Sequence, residues 1–194
     1  MASGNMQQFS INAKCIISYF FGSFIAGVVD PKPIAFEFVH PRAGISSITA
    51  LCWIGSMLMA WSYYLAETKK DLSFIFSSAV AMGLQNSVTS TMTTNLVRSA
   101  HFSGITSDMG TFLGQVVRGN KQNLIKLQVF PLLALSFWTG GYLSFWLTNK
   151  IGSRVLLLSA CLHFLLGIGI ERACSDIVAL LYGIYMACVI VCFI

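Results

Sequence analysis

The sequence predicts an all-α, polytopic transmembrane helix bundle, with six crossings and one short polar helix, broken or re-entrant, arranged as a two-copy internal repeat. Three observations lead there. Of 194 residues, 56% are hydrophobic and 10% charged, against about 25% charged in a typical soluble domain. Apolar runs long enough to cross a bilayer recur along the chain. Between them, Ala81–Asn120 concentrates polar residues at a density found nowhere else after Ile45. The mean hydropathy of +0.74 suits a chain that needs little polar surface, so a bilayer is its first partner.

The elements follow in order. Met1–Ala13 is polar and has no basic segment leading into an apolar core, so it is not a signal peptide. Cys15–Val29 is the first crossing, completed by the preceding turn with Lys14 snorkelling. Within it Ser18, Gly22 and Ala26 recur every four residues, the small-xxx-small spacing of a close helix contact. Asp30–Gly44 holds Pro31, Pro33 and Pro41 and reads as an extended loop.

Ile45–Ala66 is a second crossing that ends in Trp61, Tyr63 and Tyr64, like an interfacial aromatic belt. Glu67–Asp71 is a charged loop, and Leu72–Thr94 a third crossing with a polar second half. Ser103–Val117 is the short polar helix, followed by a basic loop with Arg118, Lys121 and Lys126. Leu127–Thr148 crosses next, with Pro131 in its first turn and Gly140-Gly141 at mid-depth. Gly152–Ile170 and Ile177–Ile194 complete the six.

Ser3-Gly4 returns as Ser103-Gly104, an offset of 100 residues. Each pair precedes a short helix, a glycine-bearing crossing, a second crossing and a third that opens with Asp (Asp71; Asp176). One membrane domain therefore spans residues 1–194, as repeats over about 1–98 and 99–194, an organisation many transporters share. The central Ser-Gly follows a crossing that contains MGLQN, whereas the first has nothing before it. A chain lacking one opening helix is the expectation. Lys and Arg divide almost evenly between the two sides, so the positive-inside rule does not orient the bundle.

MGLQNSVTS followed by FSGITSDMG resembles the second-half signature of the YoaK-like multi-pass membrane family, built around domain of unknown function 1275. Gly83, Leu84, Gln85 and Asn86 match its Gly-Leu-Gln-Asn-Ala run, with Ser87 in place of Ala. Gly104, Asp108 and Gly110 match its Thr-Gly-Thr-x-Thr-Asp-x-Gly run and Thr106 falls on its first free position, with Ser103, Ile105 and Ser107 in place of the three threonines. MASGN is similar to its first-half Met-Thr-Gly-Asn, with Ala2 inserted and Ser3 for Thr. The resemblance implies a membrane bundle whose opening Gly-x-x-Asp-Ala helix is absent here. It implies no particular activity.

A helix from Gly104 places Gly104, Asp108, Thr111 and Gln115 on one face, and Ile105, Met109, Phe112 and Val116 opposite. In the crossing before it, Asn86, Thr89 and Thr93 share a face. Such faces must turn inward or line a wet cavity, because unsatisfied groups are costly in lipid. Asp108 is the one acidic residue inside a candidate membrane helix, so it needs a partner or a task. Two readings stand. In the first, Gln85, Asn86, Ser103, Gly104, Thr106 and Asp108 form a site for a small solute or a proton. In the second, Asp108 lies near the interface, where it caps its helix or pairs with Arg98 or His101; Ser107 and Thr106 are the other candidate caps of that helix.

Other features point to packing. His163 stands alone in an apolar crossing and reads as a packed or hydrogen-bonded histidine; His40 and His101 have no metal-ligand spacing. Gly110 and Gly114 form a GxxxG expected to pack helices. Cys15, Cys52, Cys161, Cys174, Cys188 and Cys192 form no CxxC and read as packing residues. The formal charge of +5 is scattered over short loops, which suits phosphate headgroups and not nucleic acid. No HExxH, GxSxG, P-loop or paired acids on one helix appear. The expectation is a transporter or permease-like protein of the cell membrane, without enzymatic activity, metal or cofactor, and as a homo-oligomer. The alternative is a non-catalytic membrane subunit or regulator, or an inactive fragment.

Overall fold

The computed structural model describes residues 6–30, 46–70, 72–92 and 102–172. Among them every regular element is a helix: α1 (Met6–Val29), α2 (Ser47–Thr68), α3 (Ser73–Met92), α4 (Phe102–Val117), α5 (Leu124–Ile151) and α6 (Arg154–Arg172). Three of these, α1, α2 and α5, are both long and apolar enough to cross a bilayer. At 1.5 Å per residue the shortest of the three reaches about 33 Å, against a hydrocarbon core of about 30 Å. The polar second half of α3 keeps it below that mark, and α6 counts as apolar over a shorter run, Arg154–Gly169. The expected crossing Ile177–Ile194 lies outside the described residues.

Helix boundaries follow local chemistry. α1 is one continuous helix that starts at Met6, well before the apolar run at Cys15, because nothing in SINAK breaks a helix. The short-helix-then-crossing order is therefore absent from the first half, while α4 and α5 keep it in the second. Ser46 caps α2: its Oγ accepts from the Thr49 N–H at 3.1 Å and donates to Thr49 Oγ1 at 2.9 Å. α2 then continues through Glu67 and Thr68, taking up the start of the expected ETKKD loop. α4 ends where Gly119 turns left-handed at φ 89° and the Asn120 N–H reaches back to the Gln115 carbonyl. α5 begins at Leu124, so Pro131 sits two turns in and not in the first turn. There it removes the bond its N–H would have made to the Leu127 carbonyl.

The main contacts link the helices in a row, with α1 also touching α2. α1 packs on α3, α3 on α2, α2 on α6, α6 on α5, and α5 on α4. The expected small-residue contact on α1 is real, and its partner is α3. Only Gly22 and Ala26 of α1 are buried. A Cβ at Gly22 would strike the Val80 carbonyl, and one at Gly83 would strike the Tyr19 carbonyl. Ser23 Oγ donates to the Gly83 carbonyl at 2.9 Å. Two glycines thus let two backbones touch, the device membrane helices use where water provides no hydrophobic drive. The rest of α1 turns Phe9, Ile16, Ile17, Phe20, Phe21 and Phe24 outward, a surface suited to acyl chains.

α2 and α6 approach as closely. Ser56 Oγ donates to the Ala160 carbonyl at 2.8 Å, and the Trp53 and Phe164 rings stack at 6.0 Å. At the helix ends, the Ser153 hydroxyl donates to the Glu67 carboxylate, tying the α5–α6 turn to α2. One apolar cluster, Ala26, Ile48, Leu51, Cys52, Leu84 and Val88, fills one end of this four-helix part. A second, Met59, Ala81, Met82, Leu156 and Ala160, fills the other. A third and smaller one, Ile105, Phe130 and Leu133, joins α4 to α5.

Candidate functional site

Between the two larger clusters, the core of α2, α3 and α6 is polar. On α3, Ser78, Gln85 and Thr89 are all buried; spacings of seven and four put them on one face. On α6, Ser159 and His163 are buried one turn apart. Gly55 of α2 lies between the two helices: the position of a Cβ there is 3.4 Å from Gln85 Nε2 and 3.7 Å from His163 Cδ2. All three residues lie near the middle of their helices. If those helices cross a bilayer, that level is its midplane.

Most of this polar seam is internally satisfied. Thr89 Oγ1 donates to the Gln85 carbonyl at 3.1 Å, Ser62 Oγ to the Leu58 carbonyl at 2.9 Å, and Ser77 Oγ to the same Leu58 carbonyl at 3.1 Å. Ser78 Oγ and Trp53 Nε1 are buried without a partner, and so are groups on Gln85 and His163 beside Gly55. His163 Nδ1 lies 2.7 Å from the Ser159 carbonyl, which can only accept, so Nδ1 carries the proton and Nε2 of the neutral ring is a bare acceptor. That Nε2 has no hydrogen-bond partner, and neither does the Nε2 or the Oε1 of Gln85. Gln85 is 2% exposed and His163 0%. Each such buried, unpaired group costs roughly 1–3 kcal/mol. Native structures retain few of them, and they mark places where something else binds or where chemistry occurs.

The six residues expected to form a single site are not brought together. Gln85 is at the centre of the core, and Asn86, next on α3, is half-buried. Gly104, Thr106 and Asp108 lie on α4, which touches only α5 among the described helices. Gly104 is half-buried, while Thr106 and Asp108 are exposed; the side chain of Ser103 lies outside the described residues. α4 starts at Phe102, so Thr106 and Ser107 sit inside the helix and not at its cap. Arg98, His101 and Thr93 lie outside the described residues. The amphipathic division expected of α4 holds: Ile105, Met109 and Phe112 pack on Phe130, Leu133 and Val129 of α5. Only the polar face finds no described helix.

Sequence reasoning passes over Gly55; it reads His163 as a packed or hydrogen-bonded histidine, which its burial and its contact with the Ser159 carbonyl bear out, but gives it no place in the site. The signal for His163 was present, since an ionisable side chain inside an apolar crossing is a functional candidate by default, a rule applied above only to Asp108. Nothing in the sequence singles out Gly55 from its fifteen fellow glycines. Among the described residues no group of His, Cys, Asp or Glu could hold a metal, and Cys15, Cys52 and Cys161 are free thiols.

Residues 1–169 match the family described as "Protein of unknown function (DUF1275)". The chain belongs to this family. No curated protein and no solved structure matches it. The GLQN signature of this DUF1275 chain now has a physical meaning for two of its members: Gly83 admits the α1 backbone, and Gln85 carries the unpaired amide of the core.

Proposed function

We propose that this DUF1275 chain is a transporter or permease-like membrane protein whose solute site is the polar centre between α2, α3 and α6. The observation that supports this reading is the meeting of three unpaired hydrogen-bonding atoms, two on Gln85 and one on His163, beside a glycine at mid-helix. A packing role alone leaves them unsatisfied; a passing solute satisfies them in turn. We read α3 and α6 as crossings too, with Ile177–Ile194 as the sixth and the whole as a two-copy repeat in the cell membrane. On this reading the protein is no enzyme and needs no cofactor; its partners are the bilayer, the solute or a proton, and further copies of itself.

Of the residues singled out in the sequence, Gln85 carries the proposal. Asn86 flanks it, and Asp108 with Gly104, Thr106 and Ser103 is left to the separate α4 hairpin. The test is solute flux into liposomes containing the purified chain, measured over a panel of charged and uncharged small molecules. Protein-dependent flux that is lost in Gln85→Leu and kept in Asp108→Asn is the expected result. Flux lost in Asp108→Asn and kept in Gln85→Leu would move the site to α4. No protein-dependent flux for any member would sink the reading, and leave a non-catalytic subunit as the better description. One observation favours that second reading: among the described residues the polar face of α4, with Asp108 and Thr111, is exposed, a surface that another protein could cover.

A further inference from the structure

We infer that the C-terminal ends of α1 and α3 form a binding site for one small monovalent metal cation, sodium or potassium, held by Asp30, Ser87 and Thr91. The site is separate from the polar centre at Gln85 and does not depend on the transport reading. A cavity opens there between Gly27 and Asp30 of α1, Leu51 of α2, and Ser87, Val88 and Thr91 of α3. Counted for the centre of a water-sized particle, its volume is about 20 Å³. That is space for roughly one or two waters, or for a partly dehydrated cation of similar size.

Charge is the first support. Lys14 Nζ lies 6.0 Å from the Phe76 ring, and Asp30 shares the cavity with Thr91, so α1 and α3 run parallel. Their C-terminal ends therefore meet, and each carries a partial negative charge of about half an elementary charge. Asp30 directly follows the last residue of α1, and its N–H bonds the Ala26 carbonyl at 2.9 Å. A carboxylate at that end of a helix opposes the dipole, whereas a cation there is favoured. The described partner of the Asp30 carboxylate is the neutral Ser47 hydroxyl, which donates to Oδ2 at 3.1 Å. No described Lys or Arg side chain offsets the charge. Lys14 lies towards the other end of α1, and Lys69 and Lys70 follow the far end of α2.

The second support is the polarity of the oxygens. The Thr91 hydroxyl donates to the Ser87 carbonyl at 2.8 Å and to the Val88 carbonyl at 3.1 Å. Its proton is committed to its own helix, so its oxygen lone pairs are left for a cation. Ser87 adds a second hydroxyl and Asp30 a carboxylate, while the buried Leu51 and Val88 supply an apolar wall. One carboxylate among neutral oxygens suits a singly charged hard ion. Calcium sites gather more oxygen ligands and charge, and magnesium demands a near-ideal octahedron. An alkali cation needs no cluster of His, Cys or acids, and helix C-terminal ends serve as ligands for such ions in membrane proteins.

The experiment is thermal unfolding of the purified full chain in detergent, with sodium chloride or potassium chloride replacing choline chloride at constant ionic strength. Choline is too large for the cavity and serves as the inert cation. Tm should rise with one or both metal ions and level off at saturation, as binding to the folded state requires. Asp30→Asn keeps the shape of the side chain and removes its charge, so it should abolish the rise. Thr91→Val removes one ligand oxygen from an exposed position and should raise the half-saturating concentration at least tenfold. Equal Tm values in choline, sodium and potassium would overturn the inference, and so would a metal-dependent rise that survives Asp30→Asn. A larger rise with calcium chloride than with either alkali salt would overturn the choice of a monovalent ion. Should Asp30→Asn fail to fold, Thr91→Val decides: an unchanged half-saturating concentration in that variant would overturn the placement.

Discussion

The two ends of the helix row are held together by different means. In α1–α3–α2–α6, backbones touch backbones: Gly22 and Gly83 admit the opposing chain, and the Ser23, Ser56 and Ser77 hydroxyls donate to carbonyls of a neighbouring helix. In α4–α5, one helix rests on the other through side chains, with Ile105, Phe130 and Leu133 buried and the Phe112 and Phe130 rings 5.8 Å apart. At Gly22 and Gly83 the first arrangement tolerates no added atom; the second is an ordinary amphipathic contact whose polar face meets no described helix. Unpaired polar groups are found only in the first among the described residues. A rigid frame can hold such groups in place, whereas a loose hairpin would turn them towards water or each other.

The largest expected effect tests the rigid end. Gly83→Val places a branched side chain where even a Cβ would collide with the Tyr19 carbonyl. Backbone cannot move aside as a side-chain tip can, so α1 must separate from α3. The cost is set at or above the upper end of ordinary overpacking, about 3 kcal/mol. Thermal unfolding in detergent should show a fall in Tm of several degrees or no folded protein, and the same change at Gly22 should behave alike. A Gly83→Val protein as stable as the parent would mean that α1 and α3 are not in backbone contact.

Next in size is a change confined to the hairpin. Phe112→Ala removes the ring that packs on Phe130 and lies 5.7 Å from Lys126 Nζ. Phe112 is only half-buried, so about 2 kcal/mol is expected, below the range for fully buried aromatic truncations. Because α4 touches only α5 among the described helices, hydrogen exchange should quicken along α4 and the facing turns of α5, while α1–α3 keep their protection. Equal deprotection throughout would show that the two ends are one cooperative unit.

The frame and the hairpin were not equally legible in the sequence. Hydropathy placed the helices, and small-residue spacing identified the Gly22 contact, because both are local patterns with a fixed period. The polar face of α4 was correctly separated from its apolar face by the same count. Which helix lies beside which is not a local property. Gln85 and Asp108 stand only 23 positions apart in polar, signature-bearing segments, yet they belong to opposite ends of the row. His163 is 78 positions beyond Gln85 and lies near the same Gly55 position. Gly55 depends on both, so its role could only appear once three helices were placed.

Gln85→Leu ranks third and separates stability from function. Leucine is of similar bulk and removes two unpaired polar atoms, each worth roughly 1–3 kcal/mol of lost hydration. The variant should unfold at the same temperature as the parent or somewhat higher, while solute flux disappears. A fall in Tm would reveal hydrogen bonds that the amide makes in the membrane, and the site would then be a structural one.

The smallest effect is expected where the same residue type has the opposite surroundings. Gly110 and Gly114 sit on the exposed side of α4, and nothing among the described residues lies within 4 Å of a Cβ built at either. The helix-packing role expected of this GxxxG is therefore not realised within the described chain. Gly114→Ala should stabilise α4 by at most about 0.5–1 kcal/mol, the gain of an exposed helical alanine over glycine. The comparison with Gly83→Val is direct: a single methyl group at one glycine is harmless, and a side chain at the other pries two helices apart. Analytical ultracentrifugation of the Gly114→Ala protein in detergent should give the parental mass. A change from dimer to monomer would instead show that this open stripe is where a second copy of the chain packs, since only a close neighbour can feel one added methyl group.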